Sequence, residues 1–438
     1  MVKQLVFAFL LLLTLGVFLW TSVRLIRFFR LTQSYKLRGT ILERFKMTMA
    51  VAMGQNKILR RPVTGFMHAV VFWGFCVILV GSLEMVIDGL TGSERILGFT
   101  GGFYDVLMAS GDLFAFIIFL LILAFLFRRI FLKIKRFTGE EMKHRSHTDA
   151  NLSLTLILLL MLTLLGMNTF YLGWAASANH EMVGVYPVSA VLSGLLGQMD
   201  DAWLHLGHQV NWWAHILLIF VFANYLPYSK HFHVFMSVPN VMLSSLDPLG
   251  KIENMESVTR EVRLMLDPSA QTGHDSDEVP RFGVRDAEDV NWKNYLDSLA
   301  CTECGRCTSV CPANITGKRL SPRKIMMDLR ARMKERGPHL VREGKGFNDG
   351  RSLIRDIITE EELWACTTCN ACAMECPINI NHPRLIVDMR RYLVMEEAAA
   401  PGELNAIFSN IENNGAPWQF SQHDRMNWAR DLFIKERQ

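Results

Sequence analysis

Apolar residues gather into five long runs in the first half of the chain, roughly 4–26, 63–87, 104–127, 151–173 and 203–227, and residues 240–438 have the patterning of a soluble protein. An α-helix needs ~20 mostly apolar residues to cross a hydrocarbon core. The pattern therefore predicts five transmembrane helices. The first run has only Lys3 ahead of it and Arg24, Arg27 and Arg30 behind it, with no small-residue cleavage site. It reads as a retained anchor rather than a removed leader.

The second half predicts shorter helices separated by turns. Asp247-Pro248 and Asp267-Pro268 break the chain, and the polar stretch 270–280 reads as a loop. An approach helix over roughly 286–299 brings Leu296 and Leu299 to the fold that follows. Ser321 and Pro322 suit the N-cap and first position of a helix through SPRKIMMDLRARMKER. Thr359 and Glu362 form a capping box for a short helix, and Asn381 and Pro383 start another. The expected fold class is all-α. The expected divisions are a membrane domain at 1–239, a linker at 240–285, a helical domain at 286–400 and a tail at 401–438.

Charge sets the orientation. Residues 24–61 hold ten Lys or Arg and residues 128–149 hold seven, whereas 88–103 hold only Arg95 and 174–202 none. Basic loops stay cytoplasmic. The N-terminus is therefore expected outside and the C-terminal half in the cytoplasm. The net charge of +4 gives no footprint for nucleic acid.

Eight of nine cysteines fall in two identical runs: Cys301, Cys304, Cys307, Cys311 before Pro312, and Cys366, Cys369, Cys372, Cys376 before Pro377. This is C-x2-C-x2-C-x3-C-P, the bacterial run for a [4Fe–4S] cluster, whose fourth cysteine serves the other cluster in two-cluster ferredoxins. The expected sets are Cys301/Cys304/Cys307/Cys376 and Cys366/Cys369/Cys372/Cys311. A pair of structural zinc sites is the alternative, but zinc does not call for the x3-C-P ending. Thiols used this way suit a reducing compartment. Cys76, in an apolar run, is expected to be a small buried hydrophobe.

Ionisable residues inside a bilayer are functional candidates. His68 lies near the cytoplasmic start of the second run, and His231 and His233 follow the cytoplasmic end of the fifth. Opposite helix directions bring His68 and His233 to similar depth, a suitable axial pair for haem. Only one of His231 and His233 is expected to ligate, since residues two apart point to different sides of a helix. A helix–helix hydrogen bond is the plain alternative for either histidine. His205, His208 and His215, with Glu84, Asp112, Asp200 and Asp201, cluster towards the outer half. They are candidates for the proton-handling groups beside a quinone, with interfacial polarity as the alternative for each.

The stretch from His215 to Pro239, HILLIFVFANYLPYSKHFHVFMSVP, resembles the last helix of the cytochrome b subunit of respiratory nitrate reductase. That resemblance implies one haem between His68 and His233. It implies a second between His215 and a residue at Ile78, which cannot ligate iron. The second haem is then absent or takes Met85, Met108 or Met167, or His215 lines a quinone pocket instead. CTECGRCTSVCPANITGKRLSPRKIMMDLR and LWACTTCNACAMECPINI resemble the cluster domain of the heterodisulfide reductase and glycerol-3-phosphate dehydrogenase iron–sulfur family. The combination is similar to the electron-transfer-flavoprotein:menaquinone oxidoreductases.

What this implies is a bacterial inner-membrane electron-transfer subunit joining a cytoplasmic redox partner to the quinone pool of a respiratory chain. Its cofactors would be two [4Fe–4S] clusters, haem b and a quinone. Direction stays open: quinone reduction fed by an electron-transfer flavoprotein or dehydrogenase, or quinol oxidation driving a cytoplasmic reductase. A membrane scaffold or redox sensor without flux is a rival of another class. Longer relatives carry CCG domains after the ferredoxin part, and no Cys follows Cys376 here. A separate CCG-domain subunit is therefore expected to dock, with Trp418, Phe420, Met426 and Trp428 as contacts or as packing on the chain's own fold. Eight Lys or Arg between Lys318 and Arg336 are read as offsetting cluster charge, receiving an acidic partner, or forming a solvated face.

Overall fold

The structure is a computed structural model that describes residues 1–132, 134–139, 141–142, 144–178, 182–267 and 281–429. The predicted loop at 270–280 and the last residues, 430–438, lie outside the described residues. The fold is all-α, with no strand among the described residues and only isolated bridges such as Gln33–Asn291.

Five helices are long and apolar enough to cross a membrane: Val2–Leu31, Pro62–Thr91, Gly102–Ile130, Ser146–Ser177 and Asp201–Tyr228. Each matches a predicted run and extends it by a few residues. Their outward faces carry exposed large apolar side chains, among them Phe9, Leu12, Leu83, Leu120 and Val221. That is the surface a lipid-facing bundle needs, since apolar patches of this extent are foreign to water. Cys76 belongs to this outward surface and is exposed, contrary to the buried position expected for it. Inside, Ile78, Ala115, Ile118, Ile122, Leu160 and Leu165 join the second, third and fourth spans. Phe7, Met85, Met167, Trp212, Ile216 and Phe220 join the first, second, fourth and fifth. Small residues let these helices approach: a Cβ on Gly207 would lie 2.5 Å from the ring of Phe170.

The fifth span does not run on through His231 and His233 as one helix. Pro227 brings no N–H, the chain turns at an extended Ser229, and a new helix starts at His233–Met242. The Ser229 hydroxyl accepts from the His231 amide and fixes the turn.

The chain divides into two compact units, Met1–Glu253 with Asp286–Arg384, and Asn254–Arg285 with Leu385–Gln438. In the first, the cysteine-bearing region packs on one end of the spans, beside the segments that follow the first span and precede the second. Gln33 and Trp292 exchange backbone hydrogen bonds with the facing chain, and the ring of Phe29 meets Tyr295 edge-on at 4.8 Å. The helix Pro322–Glu343 has its predicted cap, with Ser321 accepting from the Lys324 amide, and Thr359–Glu362 is a complete capping box. The approach helix is shorter than predicted, Trp292–Ala300.

The basic run from Lys318 to Arg336 is not a single solvated face. Arg323, Arg332 and Arg336 are buried. Arg323 pairs with Glu141 at 2.6 Å, Arg332 with Asp286 and Asp349 at 2.7 Å each, and Arg336 with Glu288 at 2.8 Å. These guanidiniums bind the fold together, and their forked geometry matches carboxylates on two sides.

The second unit turns on Gly283, whose φ is +86° and whose Cβ would lie 2.2 Å from the Asp388 carbonyl. Only glycine allows the Val284 amide to reach that carbonyl at 3.0 Å. Trp418, Phe420, Met426 and Trp428 are all exposed in this unit.

Candidate functional site

Each cysteine run winds through two tight turns. Glu303 and Gly305 in the first, and Thr368 and Asn370 in the second, have positive φ. Such turns aim successive cysteines inward. All nine cysteines are free of disulfides; Cys301, Cys307, Cys311, Cys372 and Cys376 are buried, Cys304 and Cys366 are half-buried, and Cys369 is exposed.

Electrostatic neighbourhoods sort the eight into two sets. Cys307 has Cys304, Cys301 and Cys376 as its leading negative neighbours, with Cys372 of the other set behind them, and Cys376 in turn has Cys304 and Cys301. Cys372 has Cys366, Cys369 and Cys311. The last cysteine of each run therefore reaches across to the other run. Burial, and then crowding by the other sulfurs, pushes Cys372 and Cys376 up to about 12, and burial against the pull of Arg330 pushes Cys301 up to about 11. Four thiols whose charged forms repel one another form a site that favours positive charge at its centre. Among the described residues no three His, Cys, Asp or Glu converge on one point fit for a single metal ion. A cubane does not require that, because its thiolates bind separate irons.

The first set faces the membrane spans. Lys57 donates to the Cys376 carbonyl at 3.4 Å, and Arg60 to the Met374 carbonyl at 2.9 Å. Arg61 pairs with Glu375 at 3.0 Å. Arg306, between Cys304 and Cys307, reaches back to the carbonyls of Lys57 and Ile58 at 3.1 and 3.3 Å. Arg306 is also an electrostatic neighbour of His68.

His68 and His233 stand with ring centres 6.5 Å apart and planes tilted by 34°. His68 Nδ1 is buried without a hydrogen-bond partner. Burial holds His233 neutral, down to about 4. His231 lies 5.7 Å from His233, beside Ser229. Nearby, buried Lys230 donates to the Ser146 carbonyl at 2.6 Å and lies 3.6 Å from Glu303 of the first cysteine run.

A cavity of about 470 Å³ opens further along the bundle. It brings together His205, His208, His215, Glu84 and Asp112, as well as Met85, Met108, Met167 and Ile78. Asp200 and Asp201 do not line it and are exposed at the start of the fifth span. His205 lies at the rim against Trp174, with ring centres 4.9 Å apart. His208 Nδ1 bonds the Met167 carbonyl at 3.1 Å, and His215 Nδ1 the Leu160 carbonyl at 3.0 Å. A carbonyl can only accept, so each Nδ1 carries a proton, and in the neutral imidazole each Nε2 keeps its lone pair. Glu84 is committed, accepting from the Leu97 amide at 2.9 Å and the Tyr104 hydroxyl at 3.0 Å. Asp112 is committed too, accepting from the Val188 and Ser189 amides at 2.8 and 3.0 Å and capping the short helix Pro187–Ser193.

Sequence reasoning missed Arg306, Lys57 and Lys230 as parts of the site. Arg306 stands inside a cysteine run, which was the available signal; Lys57 and Arg61 counted only as basic loop residues. It also missed Arg95, whose guanidinium covers the Tyr171 ring at 3.8 Å at the cavity wall.

Residues 300–380 match the 4Fe-4S dicluster domain family. The chain is 28% identical over 431 residues to the Probable iron-sulfur-binding oxidoreductase FadF of Bacillus subtilis, covering 92% of this chain and 57% of that protein. It is 28% identical over 425 residues to the EtfAB:quinone oxidoreductase of Syntrophomonas wolfei, covering 90% and 55%. Its relatives are iron–sulfur oxidoreductases. A Probable membrane-anchored ferredoxin of Chromohalobacter salexigens is 38% identical over 164 residues, 34% of this chain and 24% of that protein. The chain thus spans little more than half the length of the first two relatives. No solved structure matches.

Proposed function

We propose that this chain moves electrons between a cytoplasmic redox partner and a membrane quinone, in the cytoplasmic membrane of a bacterium with the cysteine-bearing region inside. The observation that carries the reading is a continuous succession of sites. Exposed Cys369 opens the second cysteine set, that set shares its crossing cysteines with the first, Arg306 of the first neighbours His68, and His68 faces His233. The same bundle then leads to the cavity of His208 and His215. The basic loops support the orientation, and the printed name of the Syntrophomonas relative supports the quinone.

The residues fit their groups. Each cysteine set supplies four sulfurs for one [4Fe–4S] cluster, and such clusters and b-type haem supply one-electron chemistry. Two imidazoles on opposite sides of one iron, with nitrogen–metal bonds of ~2 Å, place their ring centres about 6 Å apart. His68 and His233 meet that spacing. Arg129 leaves Nε and Nη2 buried without a partner beside His231, which suits the carboxylates of a haem. Ile78 packs among Ile118, Leu160 and Leu165 and offers no ligand for a second haem. In this reading the cavity is the quinone site, with His215, Met85, Met108 and Met167 in its wall. There His208 Nε2 accepts and returns a proton at the ring oxygen, while Glu84 and Asp112 hold the walls.

The test is an optical spectrum of the purified chain, oxidised and dithionite-reduced, with iron and haem quantified. About eight irons outside haem and one six-coordinate b-type haem are expected, and rapid oxidation of reduced haem by a quinone analogue. Iron absent or replaced by zinc would sink the reading. Haem inert to quinone and quinol would leave the scaffold or sensor instead.

A further inference from the structure

A second cavity, of about 1040 Å³, lies where the first, fourth and fifth spans meet the helix Pro322–Glu343. Two close approaches build its rim. A Cβ on Gly337 would lie 2.9 Å from the Phe28 ring, so that helix sits hard against the end of the first span. Lys334 stands about one turn before Gly337, and Arg24 about one turn before Phe28. Both reach one ring: the Arg24 guanidinium is 4.9 Å from the centre of Tyr228, and the Lys334 ammonium 5.6 Å. The Tyr228 hydroxyl is bonded to the Thr21 hydroxyl at 3.1 Å, which holds the ring in place.

The carboxylates of this cavity are already engaged. Glu303 meets Lys230 at 3.6 Å, Glu141 meets Arg323 at 2.6 Å, and Asp328 and Glu362 meet Lys324 at 2.8 and 2.9 Å. Asp149 and Asp356 accept from the amides of Lys230 and Ser352 at 2.9 and 2.7 Å. Arg24 has no carboxylate among the described residues. Its Nε is buried without a hydrogen-bond partner, and its charge rests on the rings of Tyr228 and Trp20. Ring faces attract a cation without neutralising it. A buried N–H left without an acceptor is costly, so the guanidinium is short of an anion.

The place of Arg24 in the fold says which anion. It lies near the end of the first apolar run, and Trp20, one turn before it, is 64% exposed, as is Ile26 at 52%. Exposed Trp marks the level where hydrocarbon gives way to head groups. Basic pockets between helices at that level receive anionic lipid head groups.

We propose that Arg24, Lys334 and Tyr228 form a site for the head-group phosphate of an anionic phospholipid. The planar guanidinium suits phosphate oxygens, and the ammonium adds a point charge. A lipid is favoured over free phosphate because its chains bury apolar surface along the exposed face of the first span. The helix Pro322–Glu343 also carries Arg330, which donates to the Cys301 carbonyl at 2.9 Å. The head group thereby ties the first span to the cysteine-bearing region.

The experiment adds phosphatidylglycerol to the purified full chain in neutral detergent and counts bound lipid by native mass spectrometry. Phosphatidylcholine and inorganic phosphate are the parallel probes. Phosphatidylglycerol is expected to be retained in preference to phosphatidylcholine and not to be displaced by inorganic phosphate. Arg24→Gln and Lys334→Gln are each expected to weaken retention by about fivefold, the worth of one basic group beside an anionic surface. Lys334 is exposed, so its variant keeps the fold if Arg24→Gln does not. Arg27 is exposed and does not line the cavity, and Arg27→Gln is expected to leave retention unchanged. Equal retention of the two lipids, or an equal loss on Arg27→Gln, would overturn the site and leave a general attraction of basic surface for anionic lipid. Displacement by inorganic phosphate at equal concentration would overturn the lipid as its occupant.

Discussion

The imidazoles of His68 and His233 face each other at 6.5 Å between ring centres, although 165 residues separate them in the chain. Neither has a side-chain partner that explains the approach: His68 Nδ1 has no hydrogen bond, and His233 Nδ1 reaches only the Lys230 carbonyl at 3.4 Å. His68→Ala and His233→Ala are each expected to abolish the b-type haem absorbance. His231→Ala is expected to retain it, because His231 is tied to Ser229. Pyridine-haemochrome quantification checks all three, and loss of haem on His231→Ala alone would reassign the ligand.

The cavity yields a kinetic prediction. His208 presents an acceptor nitrogen, whereas both oxygens of Glu84 are engaged. A positioned acid–base group contributes ~10²–10⁴-fold. His208→Gln is expected to slow reduction of oxidised haem by a quinol analogue, the direction in which Nε2 takes the ring proton, by about a hundredfold and to remove its pH dependence. Glu84→Gln is expected to lower thermal stability by about 1–3 kcal/mol, the range for a buried donor left without its acceptor, with a smaller kinetic effect. Stopped-flow traces across pH separate the two roles.

Much of this was legible beforehand because it rests on short-range rules. Hydropathy runs fix spans, Ser321 and Thr359 cap the helices they precede, and a repeated cysteine spacing leaves little choice of chemistry. The histidine pair was legible because loop charge fixes helix direction and direction fixes depth. What escaped was long-range pairing. Arg332 and Asp286 lie 46 residues apart, and nothing local distinguishes Arg332 from exposed Arg319. Asp112 looked like a proton carrier until its partners, 76 and 77 residues on, proved to be helix amides. Cys76 faces outward because in a membrane span the apolar surface includes the outside.

That pairing has a measurable weight. Arg332 is fully buried between Asp286 and Asp349. Removing one partner of a buried ion pair typically costs about 3–5 kcal/mol. Arg332→Met is therefore expected to lower the melting temperature of the holoprotein sharply. Arg319→Met, in an exposed pair 4.0 Å from Glu361, should change stability by less than about 1 kcal/mol. Equal effects from the two would contradict the burial of Arg332.

Gly65 links helix packing to the first cysteine set. A Cβ there would lie 2.2 Å from the Ile58 carbonyl, the same oxygen that accepts from Arg306. Gly65→Ala must push the segment Asn56–Leu59 away from the second span and carry Lys57 and its Cys376 contact with it. The expected result is a changed line shape for one iron–sulfur signal and an unchanged second signal. A change in both would mean that the disturbance spreads through the whole dicluster region.

His382 gives a pH signature. It is buried, its Nδ1 has no partner, and burial pushes it down to about 4. An unfolded histidine titrates near ~6.5. Between those values the unfolded chain holds a proton that the folded chain does not, so stability rises with pH across the window and is lost on acidification. One such group contributes a slope of at most about 1.4 kcal/mol per pH unit, with no dependence above the window. His382→Leu is expected to flatten the slope of denaturation free energy between pH 4 and 6.5 relative to the unmodified protein. It is also expected to be neutral or stabilising at the acid end, because it removes a buried nitrogen that nothing satisfies. His233, lowered for the same reason, adds a slope of the same sign in both proteins and cancels in the comparison. Identical slopes would mean that His382 is solvated in solution and takes its proton without resisting the fold.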